Sequence, residues 1–269
     1  MINQISFPHL GINLELSRVA FSIFGIDIYT YGVLIALGMG LAFCYAIREA
    51  DRVGLGQDDL LNMFIIAIPT AIVCARIYYV VFSWDAYKND IWSVFDIRGG
   101  GLAIYGGICG AVLVICTYCR VKKISIGMVL DILAVGLLIG QTVGRWGNFV
   151  NGEAFGCETS LPWAMTIVCD GVTVAKSAHP TFLYESLWNA VGIVILLMRR
   201  KKTAFRGELF CYYLFWYGIG RTMIEGLRTD SLYIGGVRVS QMLSAVLAAA
   251  AIVIIVICRR RKLKNNNNI

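Results

Sequence analysis

Tyr217, Arg221, Glu225 and Arg228 follow one another at spacings of 4, 4 and 3 residues inside an otherwise apolar stretch. At about 100° per residue, that spacing confines them to roughly one quarter of a helix circumference. An ionisable side chain near a bilayer centre costs roughly 2.5–3.5 kcal/mol, so such a stripe has to face protein, water or a ligand. Arg221 and Glu225 can form a structural ion pair across one turn. Arg228 has no obvious local partner except Asp230, which makes it the better ligand candidate.

A second stripe contains Asp131, Gln141, Arg145 and Asn148, on one side of a helix that continues to about residue 148. It ends in Gly144-Arg-Trp-Gly-Asn-Phe-Val-Asn-Gly-Glu-Ala-Phe-Gly156. One Arg, two Asn, one Glu and four Gly in thirteen residues is not a lipid-facing composition. Glycine lets backbone approach a ligand closely, and the guanidinium of Arg145 offers a planar fork of donors suited to phosphate. A polar helix cap with a snorkelling arginine needs fewer donors than this block supplies. Asn148, Asn151, Glu153 and Gly156 are therefore candidate binding residues beside Arg145.

Two further constellations are weaker. Arg98-Gly-Gly-Gly-Leu-Ala-Ile-Tyr-Gly-Gly107 sets five glycines around Tyr105, which fits close helix packing or a backbone anion nest. Ala178-His-Pro-Thr-Phe-Leu-Tyr-Glu185 opens an apolar stretch, with Pro180 as ordinary helix-start punctuation and His179 placed to cap or orient a neighbour. Glu185, just inside that stretch, should answer an arginine. Arg76 needs a carboxylate as well, with Asp131, Glu185 and Glu225 as the choices. Tyr29 and Tyr31 begin another apolar stretch and fit an interfacial aromatic belt.

The elements that must position these residues follow from composition. Of 269 residues 58% are hydrophobic and 15% charged, with mean hydropathy +0.70 and net charge +7. A soluble domain carries about 25% charged residues, so the balance excludes an ordinary water-soluble enzyme as well as disordered and collagen-like chains. The positive charge lies in short blocks between apolar runs, which argues for membrane loops and against nucleic acid. The predicted class is an all-α polytopic membrane protein. Seven stretches approach the ~20 apolar residues that a spanning helix needs: about 28–47, 60–82, 101–119, 126–143, 181–198, 208–227 and 239–258. With the N-terminus outside and the C-terminus in the cytoplasm, fifteen basic residues fall inside and seven outside, as the positive-inside rule requires. Residues 1–269 then form a single integral-membrane domain, with 146–180 as an exported head loop of α/β-like character and 259–269 as a basic cytoplasmic tail. Phe21 to Tyr31 partly alternates like a strand, and Tyr233 to Val239 reads as a hairpin around Gly235–Gly236. Cys116 and Cys119 sit in an apolar segment with no second pair to complete a zinc site. Cys157 and Cys169 share the head loop and can either bridge there or stay free, with free thiols favoured.

Arg145 and Arg228 thus lie on different spans near the same boundary, which points to an anionic phosphate at headgroup depth. Signatures of metal hydrolysis, serine acylation and nucleotide binding do not occur, and no cofactor or metal is expected. A transporter would spread its charges along a path through the bilayer, whereas most of these crowd the outer half. A phosphatidyl-group transferase would need a metal-binding Asp array.

The Gly144–Gly156 block closely resembles the signature of the bacterial prolipoprotein diacylglyceryl transferases. Tyr31-Gly32, Gly99 to Gly107, His179 to Glu185, and Tyr217-Gly-x-x-Arg221 with Glu225 and Arg228 are similar to that family's other blocks, in the same order and over nearly the whole chain. The resemblance implies a seven-span plasma-membrane enzyme with its active site toward the outer face. Such an enzyme moves the diacylglyceryl group of phosphatidylglycerol onto the lipobox cysteine of a preprolipoprotein signal peptide, releasing glycerol phosphate. It also implies headgroup roles for Arg145 and Arg228 and a match for Asn148 in the signature; Tyr31 is a further candidate binding residue, and Arg221, Glu225, His179 and Glu185 are candidate supporting residues. Many members carry a His, proposed as the catalytic base, where this chain has Tyr105. A neutral Tyr accepts a thiol proton poorly unless an arginine lowers its pKa from near 10. Electrostatic stabilisation of the phosphate leaving group by the arginines is therefore the expected main contribution, with base assistance secondary.

Overall fold

Long apolar runs with few Gly or Pro interruptions can satisfy their backbone only as helices where water is excluded, and helices dominate the chain. The computed structural model describes residues 2–96, 100–229 and 233–266. Strands β1 (Ile2–Phe7), β2 (Ile12–Ser17), β3 (Val19–Ile23) and β4 (Ile26–Tyr29) lead into α1 (Thr30–Val53), α2 (Gln57–Phe82), the single turn α3 (Trp84–Tyr87) and α4 (Ile104–Lys122). Then come α5 (Ile126–Asn151), β5 (Met165–Cys169), β6 (Val172–Ala178), α6 (Thr181–Arg199), α7 (Glu208–Glu225), β7 (Tyr233–Ile234), β8 (Val237–Arg238) and α8 (Val239–Asn266).

Among the described residues six helices, α1, α2, α4, α5, α6 and α8, are long and apolar enough to cross a membrane. The chain is a multi-pass membrane protein. The seventh apolar stretch does form a helix, α7, but it is 18 residues long and includes Glu208, Arg221 and Glu225. Several helices outrun the apolar stretches that announce them. Thus α1 continues through Arg48 and Glu49 to Val53, and α5 continues through the glycine-rich block to Asn151. The polar last turns stay helical where they find partners, as Arg52 does when its Nε donates to Glu49 at 2.9 Å.

The chain divides into two compact units, residues 1–46 with 130–269, and residues 47–129. In the first unit the four-stranded antiparallel sheet runs β2-β1-β5-β6, so the N-terminal strands join the 146–180 region. Asn3, Ile5 and Phe7 point inward from β1 at alternate positions, and Ile5 pairs with Ile167. Their core includes Phe149 at the end of α5 and Phe182 at the start of α6, whose rings stack at 4.2 Å. The Asn3 side chain adds a hydrogen bond of 2.7 Å to the Val150 carbonyl. The sheet is therefore fastened to the turns of α5 and α6 that carry the polar residues.

The 21–31 alternation is a real hairpin, β3–β4, and Gly235–Gly236 turn a second one, β7–β8, with φ of 57° and 81°. Cys157 and Cys169 are free thiols. Helices α6 and α7 are locked by Trp188 and Trp216, which stack at 4.4 Å. Each indole nitrogen donates to the other tryptophan's carbonyl, at 3.0 and 2.9 Å. Gly192 and Gly220, each four residues after its tryptophan, leave the space that the opposing indole fills.

In the second unit α2 packs on α4, where a Cβ on Gly106 would lie 2.5 Å from the Tyr78 Cβ and one on Gly110 would lie 2.9 Å from the Cys74 Cβ. Close packing thus accounts for these glycines. Arg76 corrects the expectation of a carboxylate partner. Its guanidinium donates to the carbonyls of Ser93, Val94, Gly100 and Gly101 at 2.7–3.0 Å and lies 5.1 Å from the Tyr87 ring centroid. The Gly100 and Gly101 backbone therefore turns carbonyls toward a cation, the opposite polarity to an anion nest. Asp131, one of the carboxylates offered to Arg76, accepts from the backbone N–H of Gly207 and Phe210 at 2.7 and 3.0 Å in the first unit. It caps two of the donors that the start of α7 leaves unsatisfied.

Candidate functional site

Arg221 of α7 and Arg228, three residues past its end, meet one carboxylate on α6. Glu185 lies in the first turns of that helix and is 5% exposed. Its Oε2 lies 2.5 Å from Nη2 of Arg145, and its Oε1 lies 3.0 Å from Nη1 of Arg221 and 3.4 Å from Nη1 of Arg228. Arg221 also reaches Glu225 one turn along, Nη2 to Oε2 at 2.6 Å. The pairing of Arg221 with Glu225 was legible at helical spacing. The partner of Arg228 was not, because it lies 43 residues away, and Glu185 replaces Asp230 as the counter-ion that can be named. Asp230 itself lies outside the described residues.

Three guanidinium groups and two carboxylates meet in a site where none of the five side chains exceeds 19% exposure. Guanidinium donors that converge at such a place suit the charge and geometry of a phosphodiester.

The α5 end supplies the polar rim. Asn148 turns its side-chain oxygen toward Arg145 (Nη1 to Oδ1, 3.3 Å) and its amide nitrogen toward Glu153 Oε1 (2.9 Å). Asn151 donates to the same Glu153 oxygen at 3.3 Å. Glu153 thereby orients both amides. Tyr31 opens α1 with its ring on Gly147, where a Cβ would lie 2.6 Å from Cδ2, so that glycine admits the tyrosine beside the block that carries Arg145. Trp146 is tied to α6 by Nε1 donating to Ser186 Oγ at 3.2 Å, and Ser186 in turn donates to the Thr142 carbonyl at 3.1 Å. This chain fixes the relative height of Arg145 and Glu185.

Gly156 and His179 work largely through backbone. The N–H of Gly156 donates to the His179 carbonyl at 3.0 Å, His179 N–H to the Cys157 carbonyl at 3.0 Å, and Cys157 N–H to the Leu227 carbonyl at 2.7 Å. Gly156 and Arg228 also form an antiparallel bridge. A Cβ on Gly156 would lie 2.6 Å from the His179 Cβ, so only glycine fits between these strands. The His179 ring lies 3.1 Å by Nδ1 from the Tyr184 hydroxyl, which accepts from Trp163 Nε1 at 2.6 Å. An indole only donates, so the tyrosine proton is available to the imidazole. That contact fits a neighbour-orienting role for His179.

Tyr105 is the second residue of α4, 40% exposed, and belongs to the second unit. Arg98 and Gly99 of its constellation lie outside the described residues. The unit of residues 1–46 and 130–269 therefore brings together Tyr31, Arg145, Asn148, Asn151, Glu153, Gly156, His179, Glu185, Arg221, Glu225 and Arg228, and Tyr105 stands in the other.

Sequence reasoning missed the Trp188–Trp216 lock, although Trp-x-x-x-Gly occurs on both helices. It also missed Arg238, whose Nη1 donates to the Glu225 carbonyl and whose Nε donates to Tyr233 OH at 2.7 Å.

A family model described as prolipoprotein diacylglyceryl transferase matches residues 18–257. The phosphatidylglycerol–prolipoprotein diacylglyceryl transferase of Clostridioides difficile (strain 630) is 49% identical over 231 residues, 86% of this chain and 91% of that protein. The protein of the same name from Finegoldia magna is 47% identical over 233 residues, covering 86% and 92%. That from Listeria monocytogenes serotype 4b is 44% identical over 238 residues, 86% of each.

Proposed function

This chain belongs to the prolipoprotein diacylglyceryl transferase family, and from that premise we propose how its residues carry out the transfer. The protein is a multi-pass membrane enzyme that moves the diacylglyceryl group of phosphatidylglycerol onto prolipoprotein, in lipoprotein maturation. The acceptor is the lipobox cysteine thiol of the signal peptide. The sulfur attacks the glycerol CH₂ carbon, a C–S bond forms as the C–O bond to phosphate breaks, and glycerol phosphate leaves with the bonding electrons.

Negative charge grows on the phosphate as that C–O bond lengthens. The convergence of Arg145 and Arg228 on one buried carboxylate is the observation that carries this reading. The two guanidinium groups hold the headgroup phosphate and stabilise the leaving group through charge-assisted hydrogen bonds in a low-dielectric site. Arg221 keeps the cluster in register through its pairs with Glu185 and Glu225. Asn148 and Asn151, oriented by Glu153, donate to the headgroup at the rim, and Tyr31 and Gly156 shape its walls. His179 orients Tyr184.

A substrate thiol near pKa 8.5 is only a few per cent thiolate at neutral pH. Tyr105, on α4, assists removal of that proton as a secondary contribution. The topology that fits these assignments has seven spans with α7 included, the N-terminus outside and the basic 259–269 tail in the cytoplasm. The enzyme works in the bacterial plasma membrane, and residues 1–269 form one catalytic domain with the 146–180 head and its site on the outer face.

Incubation of the reconstituted full-length protein with phosphatidylglycerol and a lipobox peptide tests the reaction. Mass spectrometry should show a gain of one diacylglyceryl group on the cysteine, and an unmodified peptide would count against it. Tyr105→Phe is expected to lower the rate about tenfold or less, since general-base assistance is worth at most ~10²–10⁴ where it dominates. Complete inactivity of that variant would mean that proton removal, not leaving-group stabilisation, limits the reaction.

A further inference from the structure

A helix leaves its last four carbonyls without intrahelical donors, and α7 ends at the turn that carries Arg228. Two side chains from the entry to α8 take up two of these carbonyls. Arg238, the last residue of β8, donates from Nη1 to the Glu225 carbonyl, and Gln241, in the first turn of α8, donates from Nε2 to the Thr222 carbonyl at 3.0 Å. The Glu225 carbonyl also accepts the Arg228 backbone N–H at 3.2 Å, so Arg228 and Arg238 share one acceptor. Arg238 is itself held by the β7–β8 hairpin, through its bond to Tyr233 OH at 2.7 Å and its position 5.5 Å from that ring's centroid. Its positive charge lies at the negative end of the α7 dipole.

We propose that Arg238, with Gln241, is a positioning residue that stops α7 at Glu225 and sets the turn from which Arg228 reaches the headgroup site. The chain of contacts runs from the hairpin to Arg238, to the Glu225 carbonyl, to the Gly226–Arg228 turn, and then to Glu185. On its other side the same turn is held by Cys157 N–H donating to the Leu227 carbonyl at 2.7 Å. Arg228 is thus gripped from the head and from the hairpin. This inference rests on the assignment of Arg228 to the phospholipid headgroup.

Steady-state kinetics of the reconstituted full-length enzyme test it, with phosphatidylglycerol and a lipobox peptide varied separately. Arg238→Ala should raise KM for phosphatidylglycerol roughly tenfold, the scale of one impaired charged contact, and leave KM for the peptide unchanged. Arg238→Lys, which keeps the charge and one donor, should recover most of that loss. A merely structural role would instead shrink the active fraction, lowering the apparent kcat and moving neither KM, and that result would overturn the proposal. If Arg238→Ala fails to accumulate, Gln241→Leu carries the test, with a rise of roughly threefold in the lipid KM expected and an unchanged value overturning it. Arg228→Gln separates the two levels. Wild-type kinetics in that variant would remove the headgroup assignment, whereas an impaired Arg228→Gln beside normal Arg238 and Gln241 variants would remove only the positioning role.

Discussion

Arg145→Gln is expected to lower the rate of thioether formation by ~10³-fold or more while the protein remains folded in the membrane. The loss is set by what removal of one preorganised oxyanion donor costs, about 10²–10³ in kcat, increased here because the donor is charged and nearly dry. Folding should survive because the substitution removes charge instead of stranding it. Glu185 keeps Arg221 and Arg228 as partners. Arg145→Lys should rescue little, since an ammonium cannot reach both Glu185 and the Asn148 oxygen as the guanidinium does. The measurement is product formation on a lipobox peptide in membranes supplied with phosphatidylglycerol, alongside a thermal melt. Substantial retained turnover would remove leaving-group electrostatics as the main source of catalysis.

Much of this site was legible because helical spacing reports a helix's own face. The 4, 4, 3 spacing grouped Tyr217, Arg221, Glu225 and Arg228, and the Arg221–Glu225 pair followed directly, although α7 ends at Glu225 and Arg228 lies three residues beyond it. The density of donors from Gly144 to Gly156 marked the block around Arg145, and glycine pairs marked the hairpin at Gly235–Gly236. Periodicity does not say which helix stands opposite. Glu185 was flagged as answering an arginine, but its role as the partner of three required α5, α6 and α7 to be placed together. The pairing of β1 with β5, about 160 residues apart, was invisible for the same reason. Hydropathy also works against α7: Glu208, Arg221 and Glu225 remove it from the set of helices apolar enough to span. Arg76 was misread because a carboxylate is the default partner for a buried arginine, whereas four backbone carbonyls meet it here.

Glu185→Gln should have the opposite signature to Arg145→Gln, and the contrast tests the electrostatic account of the site. Removing this carboxylate takes from Arg145, Arg221 and Arg228 the buried counter-ion that they share. Breaking a buried pair on one side costs ~3–5 kcal/mol, because the remaining charge is neither solvated nor matched. Activity and thermal stability should therefore fall together. The double variant Arg145→Gln with Glu185→Gln removes both members of their ion pair and leaves the Arg221–Glu225 pair intact. Its melting temperature should lie well above that of Glu185→Gln alone, while activity stays absent because the headgroup donor is gone. A coupling free energy of ~1 kcal/mol or more between the two positions is expected for residues in direct contact. If instead the two losses of stability simply add, Glu185 acts through packing, and the three arginines owe their convergence to the helices alone.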